Sequence, residues 1–393
     1  MSPPASSSGP PAPGGQAPGW PAAPRPADPA GWSGPVAGGG RPEPVDPARL
    51  DQAWGLLSAR CPGRVSRDFA LAPLTTFRLG GPARLFLRAE SVADLAALAA
   101  TLAAVPLPLL VVGRGSNLLV ADAGWPGVAL HLGQRFRGIR IEGEELEAGA
   151  ATPLPSVASR SAAAGLGGIA FAVAIPGSVG GGIRMNAGAH GSELADRLVW
   201  AEVVALAGPS AGEPERIKPD GLGFGYRRSA LPAGAVVTAA RFALHPAPEA
   251  EVRAEIDEAR RWRRDNQPVN QPNCGSVFAN PPELAAGRVV EQLGLKGERR
   301  GGARVSEVHG NFIVATEGAT SADVLALIRL AQRRARDELG ITLRAEVQLV
   351  GDFNAPAAPQ APGPRPPGRV GAPPASAAPR TQEPGDARPE VER

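Results

Sequence analysis

Among the side chains of types that could work on a small substrate are Cys274 and Ser276, the adjoining Arg227 and Arg228, and Glu346. Ser276 follows Cys274 and Gly275 in a polar run, where a serine ordinarily shapes a turn. No Gly-x-Ser-x-Gly elbow surrounds it and the chain has only four histidines, so a hydrolase nucleophile is a poor reading. Cys274 reads as a packing residue. Gly223-Phe224-Gly225-Tyr226-Arg227-Arg228-Ser229 places two arginines after two aromatics, and either needs a pocket before its charge matters. Glu346 starts an alternating strand, opposite in face to Val347 and Leu349, and acts chemically only if burial or a cation perturbs it.

Two glycine-bearing loops could hold a ligand. Gly113-Arg114-Gly115-Ser116-Asn117 follows an apolar run, and its glycines let backbone amides come close to a phosphate. It is no Rossmann fingerprint, because Leu118 stands in the third glycine's place. The second loop, Ile175 to Gly182 and on to Ala189, carries glycines through an otherwise apolar stretch. Buried amides there must find partners, which an extended polyanionic cofactor would provide. A tight turn and a bend packed on a sheet are the plainer readings of the two loops; together they suit a dinucleotide-sized ligand.

Helices and strands of both kinds must carry these groups. Ser91 and Asp94 form a capping box opening a helix to about Ala104, with Leu95, Leu98 and Leu102 on one face. Leu109–Val112 reads as a buried strand leading into the first loop, and Thr152-Pro153 as a helix start with proline first. Short β-like runs, Val203–Leu206 and Val236–Phe242, follow. Glu249–Asp265 reads as a charged helix with a salt-bridged, solvated face that includes Arg260 to Arg264. Val289–Leu293 reads as a short helix and Asn311–Ala315 as a strand. Thr320 with Asp323 caps a helix to about Leu339 that buries Val324, Leu327, Ile328 and Ala331, and Glu346–Val350 is the last strand.

Composition sets the limits. Of 44 prolines, residues 1–47 hold 14 and residues 352–393 hold 11, so both ends read as disordered tails around one globular core. With 41 Lys+Arg against 38 Asp+Glu there is no basic field for nucleic acid. Two cysteines make neither a disulfide framework nor, with the histidines, a metal site, and no signal peptide opens the chain. The apolar stretches 95–113 and 161–183 are broken by Pro and Gly, which excludes membrane spans.

Taken in order, the segments resemble one family, the UDP-N-acetylenolpyruvoylglucosamine reductases (UDP-N-acetylmuramate dehydrogenases, the MurB family) of peptidoglycan synthesis. The matching residues are Thr75–Gly81, Gly113–Leu119, Ile175–Gly182 with Asn186–Ala189, Gly225-Tyr226-Arg227, Gly275–Phe278 with Asn280-Pro281, Gly294–Gly297, Ser306-Glu307 with His309–Val314, and Glu346-Val347. They run through residues 70–351. Each motif alone is weak; their ordered series is specific.

The resemblance implies an α+β fold: an FAD-binding lobe of the vanillyl-alcohol oxidase (PCMH) type at 49–245, then a smaller α+β substrate-binding domain at 246–351, between Pro-rich tails at 1–48 and 352–393. It implies a cytoplasmic enzyme in which NADPH reduces FAD, and the flavin then reduces UDP-N-acetylglucosamine enolpyruvate. By residue-wise match Arg227, Ser276 and Glu346 are the catalytic groups: carboxylate-side cation, proton donor and stabiliser of the enol-like intermediate. FAD contacts fall at Gly113, Gly115, Ser116, Asn117, Pro176, Gly177, Ser178, Gly181, Asn186 and Gly188. Tyr226, Asn280, Lys296 and His309 line the substrate site, Lys296 facing the diphosphate. No metal, nucleic-acid or membrane partner is implied. Ala279 departs from the Lys or Arg common in the family, and no room between Phe242 and Asn266 exists for the tyrosine-bearing loop of one subtype. Another flavin-linked oxidase would explain the glycine loops but not the Arg227, Ser276 and Glu346 set; a scaffold with partner-recruiting tails is the non-enzymatic alternative.

Overall fold

The computed structural model of the chain describes residues 45–282 and 284–358. Nearly all of the two expected tails lies outside those residues; Pro47, inside them, opens the helix Pro47–Arg60, where its fixed φ suits the first turn. Asp46 caps that turn, accepting from the Ala48 amide at 2.9 Å.

The first sheet orders its strands Val65–Ala70, Pro82–Ala89, Trp125–Leu132 and Leu109–Val112. The last three run parallel, which requires a crossover between Pro82–Ala89 and Leu109–Val112. The helix Val92–Ala104 makes it. Its Ser91/Asp94 capping box forms as the spacing predicts, and Leu95 and Leu98 are fully buried. A second, antiparallel sheet of five strands runs Pro214–Ile217, Leu198–Ala205, Ala235–Ala243, Glu145–Gly149, Ile139–Glu142. The helix Leu154–Ala163 starts one residue later than expected. Leu154 donates its amide to the Gly177 carbonyl at 3.0 Å, which holds Pro153 extended at the cap position.

Beyond residue 246, the helix Glu249–Asn266 buries Val252, Ile256 and Ala259 in the larger apolar cluster, packed on the helix Leu154–Ala163 and the turn Ala170–Ala174. A second cluster gathers Cys274, Val277, Phe278 and the buried face of the helix Ser321–Leu339, and also takes in Phe77 and Leu119 from the first half. The four expected residues of that helix are buried, its Thr320/Asp323 box is formed, and Gly340 ends it at φ +65°. The helix Ala286–Gln292 begins three residues before the expected start, because Asn280 Oδ1 accepts from the Ala286 amide at 2.9 Å.

One expectation at the C-terminal end needs correction. The strand covers Gln348–Val350, not Glu346–Val350. Glu346 donates its amide to the Val277 carbonyl at 2.8 Å, so it is committed elsewhere before parallel pairing with Leu118–Val120 begins. Among the described residues no helix is long and apolar enough to cross a membrane, and no cluster of His, Cys, Asp and Glu could hold a metal ion.

Candidate active site

The parallel pairing of Leu118–Val120 with Gln348–Val350 fixes the first glycine loop against the segment bearing Glu346. Asn117 completes the join: its Nδ2 donates to the Glu346 carbonyl at 3.1 Å and its own carbonyl accepts from the Gln348 amide at 3.0 Å. The second loop meets the first directly. At Gly113 a Cβ would come within 2.9 Å of Ser178 Oγ, and at Gly115 (φ +59°) it would be driven into the Leu74 carbonyl. Only glycine serves at Gly115.

Between the loops and the Glu346 segment lies a cleft of ≈ 600 Å³ whose wall includes Arg227, Ser276 and Glu346. These three come from segments far apart in the chain. Arg227 sits in a tight turn, with Gly225 and Arg228 exchanging backbone hydrogen bonds, and its own backbone is left-handed at φ +55°. Such a conformation in a non-glycine residue is held only by its surroundings. The guanidinium supplies that hold. Nη2 donates to the Gly188 carbonyl at 2.9 Å, Nε lies 3.3 Å from Glu346 Oε1, and Nη1 lies 4.0 Å from Glu193 Oε1. Arg227 also covers the Tyr226 ring at 4.9 Å.

Burial dominates the electrostatics here. It pushes the Glu346 carboxyl above the ordinary carboxylate range, against the opposing pull of Arg227. Glu193 is raised for the same reason, opposed by Arg227 and by the Asn186 amide. The Cys274 thiol is fully buried and pushed far up, with the Glu346 charge adding to the burial, which leaves it inert at neutral pH.

The loops also make a cradle. Among the described residues the backbone N–H groups of Arg114, Gly115, Ser116 and Gly177 donate no hydrogen bond, and all four residues line the cleft. Buried or half-buried amides do not stay unpaired without cost, and a row of them suits phosphate oxygens. FAD, with its diphosphate, fits this donor set.

Of the expected contacts, Gly113, Gly115, Ser116, Asn117, Pro176, Gly177, Ser178, Gly181, Gly188 and Asn280 line the cleft. Asn186, Tyr226, Lys296 and His309 do not. Asn186 spends its side chain inside the protein, donating to Glu193 Oε2 at 2.6 Å and accepting from the Ala195 amide at 3.1 Å. Lys296 pairs with Glu291 at 2.9 Å on the surface. His309 Nδ1 accepts from the Asn311 amide at 3.1 Å, and burial lowers its pKa. Its ring meets Phe312, a wall residue, edge-on at 5.0 Å.

Other wall residues escaped the sequence reading. The helix Glu249–Asn266 does present a salt-bridged face, with Arg253–Glu249 and Arg260–Asp257 pairs, but its last turn brings Trp262 and Arg263 to the cleft. The indole among the arginines was the available signal. Arg184 also reaches the wall while donating to the carbonyls of Leu231, Pro232 and Ala235; nothing local in the sequence marks it.

Comparison with known proteins agrees with this architecture. Residues 83–209 match the FAD binding domain family, and residues 267–350 match the family described as UDP-N-acetylenolpyruvoylglucosamine reductase, C-terminal domain. With the amide cradle, these define an FAD-dependent oxidoreductase of α+β fold. A UDP-N-acetylenolpyruvoylglucosamine reductase of Anaeromyxobacter sp. (strain Fw109-5) is 44% identical over 299 residues, covering 76% of this chain and 92% of the relative. One from Synechococcus sp. (strain JA-3-3Ab) is 40% identical over 301 residues, 76% and 95% of the two chains. The crystal structure of the Thermus caldophilus UDP-N-acetylenolpyruvylglucosamine reductase superposes with TM-score 0.64 at 38% identity, over 73% of this chain and 99% of that one. The chain belongs to the UDP-N-acetylenolpyruvoylglucosamine reductase family.

Proposed function

We propose that the protein reduces UDP-N-acetylglucosamine enolpyruvate to UDP-N-acetylmuramate with NADPH as hydride donor, a cytoplasmic step of peptidoglycan synthesis. One observation carries the reading: Arg227 and Glu346, 3.3 Å apart and mostly buried, line one cleft with Ser276 and with the glycine-loop residues whose amides donate no hydrogen bond. FAD, when bound, supplies the hydride it has taken from NADPH. The two glycine loops hold the cofactor through backbone N–H groups, and the cleft then admits the two nucleotides in turn.

Hydride arriving at the terminal enol-ether carbon leaves negative charge on the neighbouring carbon and its carboxylate. Arg227 meets that charge with a fixed fork, already oriented by the Gly188 carbonyl, so little reorganisation is needed at the moment of reaction. Ser276 gives its hydroxyl proton to the carbon bearing the carboxylate, a transfer open to a weak acid only against so basic a centre. Glu346, raised by burial and bridged to Arg227, supports the enol-like state without repelling it. Asn280 lines the same cleft as a polar contact for the substrate.

Anaerobic mixing tests this. Protein bleached by NADPH should regain its yellow colour on addition of the enolpyruvyl nucleotide, with UDP-N-acetylmuramate formed one for one. A bleached flavin that ignores that nucleotide would refute the assignment.

A further inference from the structure

The second glycine loop ends in a short hairpin that pairs Gly188 with Glu193 and Ala189 with Ser192, around His190 and Gly191 at φ +51° and +80°. Positive φ at both turn residues gives the twist that a two-residue hairpin loop needs. Glu193 lies across its partner: a Cβ at Gly188 would come within 2.9 Å of Glu193 Cγ, so glycine leaves the room that the carboxylate arm occupies. One register pair thus delivers two groups to Arg227, the Gly188 carbonyl to Nη2 at 2.9 Å and the Glu193 carboxylate toward Nη1 at 4.0 Å. Asn186 fixes the pair. Its buried side chain donates to Glu193 Oε2 at 2.6 Å and to the carbonyl of Gly225, in the Arg227 turn, at 3.3 Å, and it accepts from the Ala195 amide at 3.1 Å.

Glu193 and Asn186 do not line the cleft, so neither touches a substrate there. What they govern is how Arg227 spends its donors. A side-on pair between the guanidinium and Glu346 would take Nε and Nη2 together. Nη2 is held by the Gly188 carbonyl and Nη1 is drawn toward Glu193, so the closest contact to Glu346 is through Nε, at 3.3 Å. The 4.0 Å between Nη1 and Glu193 is too long for a hydrogen bond, which leaves Nη1 able to take an incoming carboxylate.

We infer that Glu193, held by Asn186, is a positioning residue for Arg227: it keeps the guanidinium on the Gly188 carbonyl and out of a two-bond pair with Glu346, so that the fork stays open to the enolpyruvyl carboxylate. Under the proposed reaction, on which this inference rests, loss of Glu193 lets Arg227 close on Glu346 and slows only the half-reaction that places a carboxylate beside it.

Glu193→Gln removes the charge and keeps an acceptor for Asn186. In the FAD-loaded protein, reoxidation of the flavin by the enolpyruvyl nucleotide should slow roughly tenfold, while bleaching by NADPH stays within about threefold of wild type. Glu193→Asp, which retains the charge, should recover part of the loss. The same Glu193→Gln change made in an Arg227→Gln protein should cost less than about twofold more, because a residue acting through Arg227 has nothing left to position. A full second loss in that background would mark a general defect and overturn the inference. So would unchanged rates in Glu193→Gln, or equal slowing of both half-reactions. Crystal structures of the FAD-loaded wild type and Glu193→Gln give a reading that needs no turnover: in the variant Arg227 should leave the Gly188 carbonyl and bind Glu346 through Nε and Nη2, and an unmoved guanidinium would overturn the inference. That displacement in a protein that reduces no enolpyruvyl nucleotide would uphold the positioning of Arg227 while refuting the reaction.

Discussion

Replacing Arg227 by glutamine isolates the electrostatic core of the mechanism. Two unit charges 3–4 Å apart interact by about 4–5 kcal/mol at an effective dielectric of 20. Glu346, 3.3 Å from the guanidinium, already offsets part of its charge, so the transition state loses the lower share, about 3 kcal/mol. That is roughly a hundredfold fall in the rate at which the enolpyruvyl nucleotide reoxidises the flavin. Bleaching of the flavin by NADPH places no carboxylate charge beside Arg227 and should change less than about threefold, on the same rate scale. Stopped-flow absorbance of the two half-reactions, run separately without oxygen, measures both. A thermal melt within a few degrees of wild type shows that the Arg227 turn still forms despite losing its bond to the Gly188 carbonyl. Equal slowing of both half-reactions, or no slowing of the second, would refute the reasoning.

Ser276→Ala should spare flavin bleaching by NADPH and slow reoxidation by the enolpyruvyl nucleotide; the same stopped-flow experiment reads it, and equal loss in both halves would contradict the proton-donor role. Gly115→Ala forces a Cβ into the Leu74 carbonyl at φ +59° and should cost several kcal/mol by denaturant unfolding, with purified protein short of flavin by absorbance. Asp122 accepts from the Ser321 and Ala322 amides at 2.9 and 3.0 Å, capping the helix Ser321–Leu339 from about 200 residues upstream; Asp122→Ala should lose about 1–2 kcal/mol in the same unfolding assay. Glu346 is raised by burial, so the stability it contributes is complete below the ordinary carboxylate pKa and is lost as pH rises through its folded value. Wild type should therefore lose stability relative to Glu346→Gln across that window, at up to about 1.4 kcal/mol per pH unit, and parallel pH profiles would contradict it.

What the sequence made legible is what neighbouring residues decide. The Ser91/Asp94 and Thr320/Asp323 boxes join groups three residues apart and formed as read, as did the buried stripe of Val324, Leu327, Ile328 and Ala331. The ordered motifs led to the family, and Arg227, Ser276 and Glu346 lie on one cleft wall. Contacts across long separations left no local trace. Asp122 capping a distant helix and Asn117 bonding the Glu346 carbonyl depend on where other segments end up. The end of the helix Glu249–Asn266 shows the difficulty most clearly. Its charge pattern describes the solvated face correctly, yet the same pattern is silent about which wall the last turn reaches.

A crystal structure of the FAD-loaded protein tests the central claim most directly. It should place the isoalloxazine in the ≈ 600 Å³ cleft, its diphosphate on the amides of the two glycine loops, and Arg227, Ser276 and Glu346 converging over one ring face with space for an enolpyruvyl group. A flavin lying elsewhere, or a ring face from which any of those three side chains points away, would contradict the account.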